Sequence, residues 1–312
     1  MRVGKNKKIF LAGHKGMVGS AIHRLLIEKG YKNIIVVDKK KLDLLDQFKT
    51  LKFLKKNKPE IVIIAAARVG GIAANMMNKS KFMYENIQIQ NNLIHGTYLA
   101  GCKNLFFLGS SCIYPKHSKQ PMKENYLLTG SLEESNDAYA LAKITGLKMC
   151  EYYSNNYKVN FKSLMPPNLY GPNDNYNLRE SHFYPALIKK IHTAKIKNKK
   201  KLVIWGSGKP RRELMFVDDF ALAVIYFMNK KIKEPFINIG IGKDYPIKWY
   251  ANFIMKQLKI KLKVHYDKSK PDGMPKKCLN INRAKKYGWK PKNDFDNAFK
   301  ITYEDFLKKG IR

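Results

Sequence analysis

The segment Lys8-Ile-Phe-Leu-Ala-Gly-His-Lys-Gly-Met-Val-Gly19 decides the fold of this chain. Its first five residues are predicted to form a strand, four of them apolar, and three glycines follow at G-x-x-G-x-x-G spacing. Such glycines allow a sharp turn, a close approach of the backbone to a pyrophosphate, and tight packing of the next helix. The first amides of that helix and its dipole attract phosphate. The predicted dinucleotide-binding turn comprises Gly13, His14, Lys15, Gly16, Met17, Val18 and Gly19.

The end of the second predicted strand should contact the adenosine ribose of the dinucleotide. It carries Asp38 followed by three lysines. An acidic residue there accepts hydrogen bonds from a free ribose 2′-hydroxyl and favours NAD, whereas basic residues favour the 2′-phosphate of NADP. Both signals are present, and Lys15 and Lys39 are placed to hold a 2′-phosphate together. We therefore expect NADP(H) as the cofactor.

Short β-branched runs alternate with amphipathic stretches through the first half of the chain. The predicted strands are residues 8–12, 33–38, 60–66, 104–108 and 159–165, and the predicted helices are residues 17–29, 47–57, 82–100 and 138–155. This alternation is typical of βαβ units. The sequence therefore predicts an α/β fold, with a Rossmann-like doubly wound parallel sheet and a smaller α/β C-terminal substrate-binding lobe.

The pattern loosens after Pro166, where prolines and glycines cluster and a polar loop follows. We predict an NADP-binding Rossmann domain over residues 1–170, with a returning segment over about 209–240. The substrate-binding lobe then comprises residues 171–208 and 241–312. A helix is expected in this lobe over about 185–195.

The charge of the chain is unusual, with 60 Lys and Arg against 24 Asp and Glu and a formal net charge of +36. Such a charge suggests nucleic-acid binding as a hypothesis. The excess is almost all lysine, however, and it is spread along the chain beside abundant Asn and Ile. An AT-rich coding sequence would produce this bias, so we do not expect a nucleic acid as a partner.

Neither a membrane span nor a metal site is expected. The longest strongly apolar run, residues 61–67, is far shorter than the roughly 20 residues that cross a bilayer. The four cysteines show no C-x-x-C spacing and no regular framework, which argues against both zinc and disulfides. Reduced thiols favour a cytoplasmic protein.

Three local patterns converge on a catalytic site. Ser110 follows the fourth predicted strand, and Tyr139 and Lys143 lie four residues apart on the next predicted helix, so they share one helix face. A lysine ammonium stabilises a phenolate, which lets the phenol exchange a proton nearer neutral pH than its usual pKa of about 10. A serine at the strand end can hydrogen-bond the substrate oxygen. This set, after a glycine turn, resembles the short-chain dehydrogenase/reductase family.

Further segments resemble one branch of the extended members of that family, the GDP-L-fucose synthases. The matching stretches are residues 13–22, 69–72, 108–115, 168–172, 205–208, 212–213, 217–219 and 269–273. The resemblance runs from about residue 8 to residue 306. The segment Ser-Ser-Cys-Ile-Tyr-Pro at 110–115 is the most specific, because generic sugar-nucleotide epimerases of the family usually lack that cysteine.

The resemblance implies a bifunctional reaction on GDP-4-keto-6-deoxy-D-mannose, in which 3,5-epimerisation is followed by NADPH-dependent 4-reduction to GDP-L-fucose. Cys112 matches the family's base and His182 its acid. Tyr139 would protonate the C4 oxygen, and Lys143 would also hold the nicotinamide ribose. Ser110, in preference to the serine after it, would polarise the ketone.

The resemblance also implies the residues that bind cofactor and substrate. Beyond the glycine turn, the expected cofactor contacts are Lys39, Lys143, Pro166, Pro167, Asn168, Leu169 and His182. The expected substrate contacts are Lys190, Trp205, Arg212 and Asp272. Arg212 suits a diphosphate because its fork donates to two oxygens. Lys190 stands where the family usually has Arg, and Pro167 where it typically has Thr.

Two alternatives keep the fold but change the function. One is another NAD(P)-dependent sugar-nucleotide epimerase or dehydratase, against which the pair Cys112 and His182 argues. The other is a nucleic-acid-binding protein on an inactive reductase scaffold, against which the intact Ser–Tyr–Lys set argues. The family commonly pairs through two helices per subunit, so we expect a homodimer that uses residues 82–100 and 138–155.

Overall fold

The computed structural model of the chain describes residues 3–270, 272–292 and 294–309. The strands are β1 (Ile9–Ala12), β2 (Ile34–Ile35), β3 (Ile61–Ile64), β4 (Asn104–Leu108), β5 (Asn160–Met165), β6 (Asn168–Tyr170), β7 (Lys201–Trp205), β8 (Arg211–Arg212), β9 (Leu214–Phe216), β10 (Phe236–Asn238), β11 (Tyr245–Pro246), β12 (Lys263–Asp267) and β13 (Lys276–Lys277). The helices are α1 (Met17–Glu28), α2 (Gln47–Asn57), α3 (Ile72–Met77), α4 (Lys79–Leu99), α5 (Asp137–Tyr157), α6 (Phe183–Ile196), α7 (Val217–Met228), α8 (Ile247–Gln257), α9 (Asn282–Lys286) and α10 (Phe295–Lys309). Pro271, within the motif at 269–273, lies outside the described residues.

The central sheet has six parallel strands in the order β10-β5-β4-β3-β1-β2. Alternate side chains of its strands enter two apolar cores. Ile9, Leu11 and Ile63 pack beneath α1 and α7 on one face. Phe10 and Val62 pack beneath α2, α4 and α5 on the other. Because both faces are covered, these strands read as nearly continuous apolar runs. The predicted Rossmann-like parallel sheet is confirmed.

Element positions were predicted well and some boundaries were not. β2 was expected over 33–38 but pairs with β1 only at Ile34 and Ile35. It is the last strand in the order of the sheet, so among the described residues only β1 pairs with it. The helix predicted from residue 82 begins at Lys79, after Asn78 at its N-terminal boundary. The short helix α3 was not predicted, since six residues show too little periodicity.

The C-terminal part of the chain contributes to both regions of the molecule. β10 pairs with β5 at the edge of the central sheet, with Phe236 opposite Ser163, and α7 packs on α1. The other late elements form small sheets, β11-β8-β13 and β12-β7, over a core rich in aromatic residues that includes Tyr184, Tyr250 and Phe299. The domain boundaries given above stay a prediction. Within the described ranges, no helix combines the length and apolar character that crossing a bilayer requires.

Candidate active site

The glycine turn after β1 has the backbone geometry that its spacing predicts. Gly13 has a φ of +89°, and a Cβ at this position would lie 2.6 Å from the backbone nitrogen of Ala66. A Cβ at Gly19 would lie 2.0 Å from the Gly13 carbonyl oxygen, so only glycine allows α1 to start this close to β1. No side chain among the described residues caps α1 at Gly16. The first amides of α1 can therefore receive a phosphate.

Acidic and basic groups meet beside this turn at the end of β2. Lys15 Nζ lies 2.8 Å from Asp38 Oδ1, and His14 Nε2 lies 3.3 Å from the same oxygen. The hydrogen bond from Lys15 lowers the pKa of the Asp38 carboxyl. Lys39 Nζ is 3.9 Å from an Asp43 carboxylate oxygen. Both predicted 2′-phosphate ligands thus contact carboxylates in this arrangement, and both side chains stay highly exposed.

The Ser–Tyr–Lys set is assembled by β4 and α5. Lys143 is buried, its Nζ donates to the Leu108 carbonyl oxygen at 2.8 Å, and it lies 5.7 Å from the centroid of the Tyr139 ring. Burial lowers the pKa of Lys143 to about 8, which leaves the ammonium mostly protonated at pH 7. Burial raises the pKa of Tyr139, and the charge of Cys112 adds to this, against a hydrogen bond with Ser110. The expected lowering of the phenol pKa is therefore absent, and Tyr139 is protonated.

Cys112 lies in the short 3-10 helix after β4 and receives two donors. Lys277 Nζ is 3.1 Å from its Sγ, and Asn136 Nδ2 is 3.2 Å from the same sulfur. The Cys112 amide donates to Ser110 Oγ at 3.2 Å. Burial by itself would raise the thiol pKa, but the charge of Lys277 and these hydrogen bonds lower it below the usual value. The sulfur is therefore prepared to act as a base.

Sequence reasoning missed Lys277 and Asn136. Lys277 is 165 residues from Cys112 along the chain, and it reaches the sulfur because β13 pairs in parallel with β8, with Lys277 opposite Arg212. Among so many lysines, only this pairing distinguishes it. Asn136 gave a weak local signal, since it comes three residues before Tyr139.

His182 precedes α6 and borders the same cavity as Cys112. The glycine pair at 70–71 fixes the chain before it. A Cβ at Gly71 would lie 2.4 Å from the Ser181 carbonyl oxygen, and the Gly71 amide donates to the Glu180 carbonyl oxygen at 2.6 Å. His182 is exposed and borders the cavity, yet the surrounding protein desolvates its imidazole. This desolvation and the charge of Lys277 lower the His182 pKa to about 4.

A cavity with about 1450 Å³ of empty space, open to solvent, joins Cys112 and His182 to the substrate-binding candidates. The predicted residues that line it are Cys112, Asn168, His182, Lys190, Trp205, Arg212 and Asp272. The predicted residues outside its lining include the glycine turn, Ser110, Tyr139, Lys143, Pro166, Pro167 and Leu169. Pro167 is buried and offers no backbone N–H.

One part of the cavity wall offers a flat aromatic surface with cations beside it. The side chain of Trp205 is half exposed, and the ammonium of Lys190 lies 5.4 Å from its ring centroid. Lys270 lies 5.8 Å from the same ring. Lys190 also donates to the Val203 carbonyl oxygen at 3.2 Å. The arrangement can stack a planar base while keeping positive charge beside an anion.

Arg212 and Asp272 contact the protein more than the open cavity. The buried Arg212 guanidinium donates to the carbonyl oxygens of Met274 at 2.5 Å and Asp272 at 3.3 Å. The Asp272 carboxylate accepts from the backbone N–H of Ser207 at 2.6 Å and from its hydroxyl at 2.7 Å. Asp272 therefore holds the turn that follows Trp205.

Comparisons with known proteins agree with this fold and site. The model of the NAD dependent epimerase/dehydratase family matches residues 9–240, so the chain belongs to that family. A GDP-L-fucose synthase from Sinorhizobium fredii is 46% identical over 301 residues, which cover 96% of each chain. The resemblance to GDP-L-fucose synthases that the motifs indicated is thus confirmed.

Two solved structures from Campylobacter jejuni are also similar. A GDP-6-OMe-4-keto-L-xylo-heptose reductase superposes with a TM-score of 0.93 at 34% identity, covering 99% of this chain and 100% of that one. An NADP-bound GDP-mannoheptose C4 reductase gives a TM-score of 0.90 at 36% identity, covering 98% and 99%.

Proposed function

We propose that this protein converts GDP-4-keto-6-deoxy-D-mannose to GDP-L-fucose by 3,5-epimerisation and NADPH-dependent reduction at C4. The observation that carries the proposal is the cavity shared by Cys112 and His182, with the Lys277 ammonium on the sulfur. A reductase of the same fold that only transfers hydride needs the Ser–Tyr–Lys set and has no need of a second proton-transferring pair. A relative that shares nearly the whole chain is a GDP-L-fucose synthase.

The glycine turn supports NADP(H) as the cofactor. The amides at the start of α1 would hold the diphosphate, and Lys15 and Lys39 would turn from their carboxylates to a 2′-phosphate. Lys15 already neutralises Asp38 at 2.8 Å, which reduces the acidic preference for a free ribose hydroxyl. A similar structure binds NADP. When bound, the dinucleotide supplies hydride to C4.

Epimerisation requires removal of a proton next to the C4 ketone and its return on the other face of the sugar ring. Cys112 suits the first step because Lys277 favours its thiolate. His182 suits the second once it carries a proton, and negative charge on the substrate and its enolate raises the pKa of a nearby imidazole. Reduction requires an acid for the C4 oxygen, and Tyr139 is protonated for that task.

The direct test follows NADPH consumption and product stereochemistry, by NMR, with GDP-4-keto-6-deoxy-D-mannose. We expect GDP-L-fucose from the wild type, no reduction by Tyr139→Phe, and no correctly epimerised product from Cys112→Ser. Tyr152→Phe on the same helix and Cys102→Ser in the core are the matched controls, and both should stay active. If the wild type leaves the substrate unchanged with NADPH and with NADH, the proposal is wrong.

The structural relatives favour a second candidate substrate, a GDP-linked 4-keto heptose. Two similar structures are GDP-heptose reductases, although their identity to this chain is lower than that of the fucose synthase. Side-by-side assays with both sugars decide between them. A kcat/KM that is higher for the heptose would assign the chain to the second reaction.

The finer features proposed from the family are a homodimer and a cytoplasmic location. Tyr84 on α4 and Tyr152 on α5 are 64% and 57% exposed. Met83 on α4 and Leu141 on α5 are exposed as well. Apolar side chains grouped on two adjacent helices favour a subunit interface.

The base role of Cys112 needs a reduced thiol, and the four cysteines are free, which supports a reducing compartment.

A further inference from the structure

Asn136 is the residue directly before α5, yet its side chain does not cap the helix. Asparagine at that position normally accepts a hydrogen bond from an amide in the first helical turn. Here the backbone has φ −145° and ψ 22°, and the side chain makes no capping bond. Asn136 is therefore a residue type that suits capping, but its side chain does not cap α5.

The side-chain amide of Asn136 points to the base of the proposed reaction. Its Nδ2 donates to Cys112 Sγ at 3.2 Å. Its Oδ1 is buried and has no hydrogen-bond partner among the residues that the structure describes. Buried polar atoms are nearly always paired, so an unpaired one in a native site calls for an explanation. The donation to sulfur is the contact that this orientation gains.

We propose that Asn136 is a positioning residue that holds the Cys112 sulfur from the α5 side. Lys277 and Asn136 then together form a two-donor binding site for the thiolate. This inference rests on the proposed epimerisation and assigns it one more residue. Lys277 supplies charge from β13, and Asn136 supplies a directed N–H from α5. Two donors from different elements fix the direction of a sulfur that a single flexible lysine would leave loose.

Other charged or titratable groups also face Cys112 and bear on its ionisation. Lys143 and Tyr139 lie on α5, and Arg212 lies on β8; the charge of Cys112 acts on each of them. Lys143 and Arg212 favour a thiolate as Lys277 does. Within the described residues the Asn136 side chain donates to Cys112 and makes no hydrogen bond to Lys143, Tyr139 or Arg212, so we expect their contribution to stay constant when Asn136 is replaced.

Three variants separate positioning from a helix-boundary role. Asn136→Ala removes the donor, and Asn136→Asp replaces it with an acceptor that carries negative charge. Asn78→Ala is the matched control, because Asn78 precedes α4 with a similar backbone, φ −137° and ψ 36°, and also makes no side-chain capping bond. A structural role would affect Asn136→Ala and Asn78→Ala alike.

The first measurement is the pH dependence of Cys112 alkylation by iodoacetamide, which needs no sugar substrate. Burial raises the pKa of Cys102 to about 11 and of Cys150 to about 12, and it also raises the pKa of Cys278, so Cys112 reacts first. We expect the alkylation profile to move to higher pH by about one unit in Asn136→Ala, a roughly tenfold loss of thiolate at a fixed pH. Asn136→Asp should move it further, and Asn78→Ala should leave it unchanged.

The second measurement is deuterium exchange from solvent into the substrate, with no NADPH present. Exchange should slow in the same order as alkylation, while reduction of an already epimerised 4-keto sugar keeps its rate. If Asn136→Ala and Asn136→Asp alkylate with the wild-type profile, the inference is overturned. If the wild type exchanges no deuterium but the alkylation order holds, the proposed reaction is wrong and the two-donor binding site for the thiolate is still supported.

Discussion

Replacing Lys277 with methionine should move the epimerisation activity to higher pH. The Lys277 ammonium lies 3.1 Å from Cys112 Sγ, and its charge is the largest influence that lowers the thiol pKa against burial. An opposite charge within about 4–6 Å shifts a pKa by roughly 1–3 units. Without it, burial dominates and the thiol pKa rises above its usual value. The thiolate fraction at pH 7 then falls by about tenfold to 1000-fold.

The same substitution acts on His182 in a second, separable way. Lys277 contributes to the lowering of the His182 pKa to about 4, after desolvation. Its removal should raise the pKa of the imidazole as well. The limb of the pH profile that requires a thiolate and the limb that requires an imidazolium thus both move upward. A variant that merely disturbed folding would lower the whole profile and leave its limbs in place.

The assay is deuterium exchange at C3 and C5, followed by NMR over a range of pH. Lys276→Met is the matched control, because Lys276 is next in the same strand and its Nζ lies 3.5 Å from an Asp244 carboxylate oxygen. Lys277→Arg should recover part of the activity, since it keeps the charge. If Lys277→Met exchanges with the wild-type profile, the electrostatic account of Cys112 is wrong.

The remaining predictions concern loop geometry, stability, assembly and proton uptake. In Gly71→Ala the added methyl group would lie 2.4 Å from the Ser181 carbonyl oxygen, so we expect exchange to fall by about 100-fold; wild-type rates would contradict this. Glu213→Gln disturbs a buried carboxylate that accepts three backbone N–H groups, and urea unfolding should show a loss of about 1–3 kcal/mol, whereas an unchanged midpoint would speak against it. Tyr152→Lys should give a monomer in light scattering, and a persistent dimer would place the interface elsewhere. GDP-sugar binding should be accompanied by uptake of about one proton at neutral pH, measured by calorimetry in buffers of different ionisation enthalpy. His182→Gln should abolish this uptake, and equal uptake by the wild type and the variant would contradict the role of the imidazole.

The central sheet could be predicted because its signals are local. Each of β1, β3 and β4 is a short apolar run, and the glycines after β1 fix a turn that only one fold class commonly uses. The predicted range of the edge strand β2 was too long, since its apolar residues continue past the two that pair with β1. Apolar character alone does not tell where a sheet edge ends.

The site was predicted in part, for a different reason. Ser110, Tyr139 and Lys143 follow recognisable local patterns, whereas Cys112 and His182 entered only through resemblance. Lys277 carries no such pattern, because its position depends on the pairing of β13 with β8. A contact between residues 165 apart is a property of the fold, and no local spacing encodes it.

The surroundings of Cys112 and His182 also explain why the free site is not yet ready for epimerisation. Desolvation and, after it, the charge of Lys277 lower the pKa of His182, and the same charge lowers the pKa of Cys112 against burial. At pH 7 the pair therefore consists of a thiolate-favouring sulfur and a neutral imidazole. Both are then bases, whereas inversion of a carbon centre needs one base and one acid. The missing proton must be taken up from solvent when the substrate binds, because its diphosphate brings negative charge into the cavity and raises the pKa of the imidazole. Proton uptake on binding thus follows from the same geometry that activates the thiol.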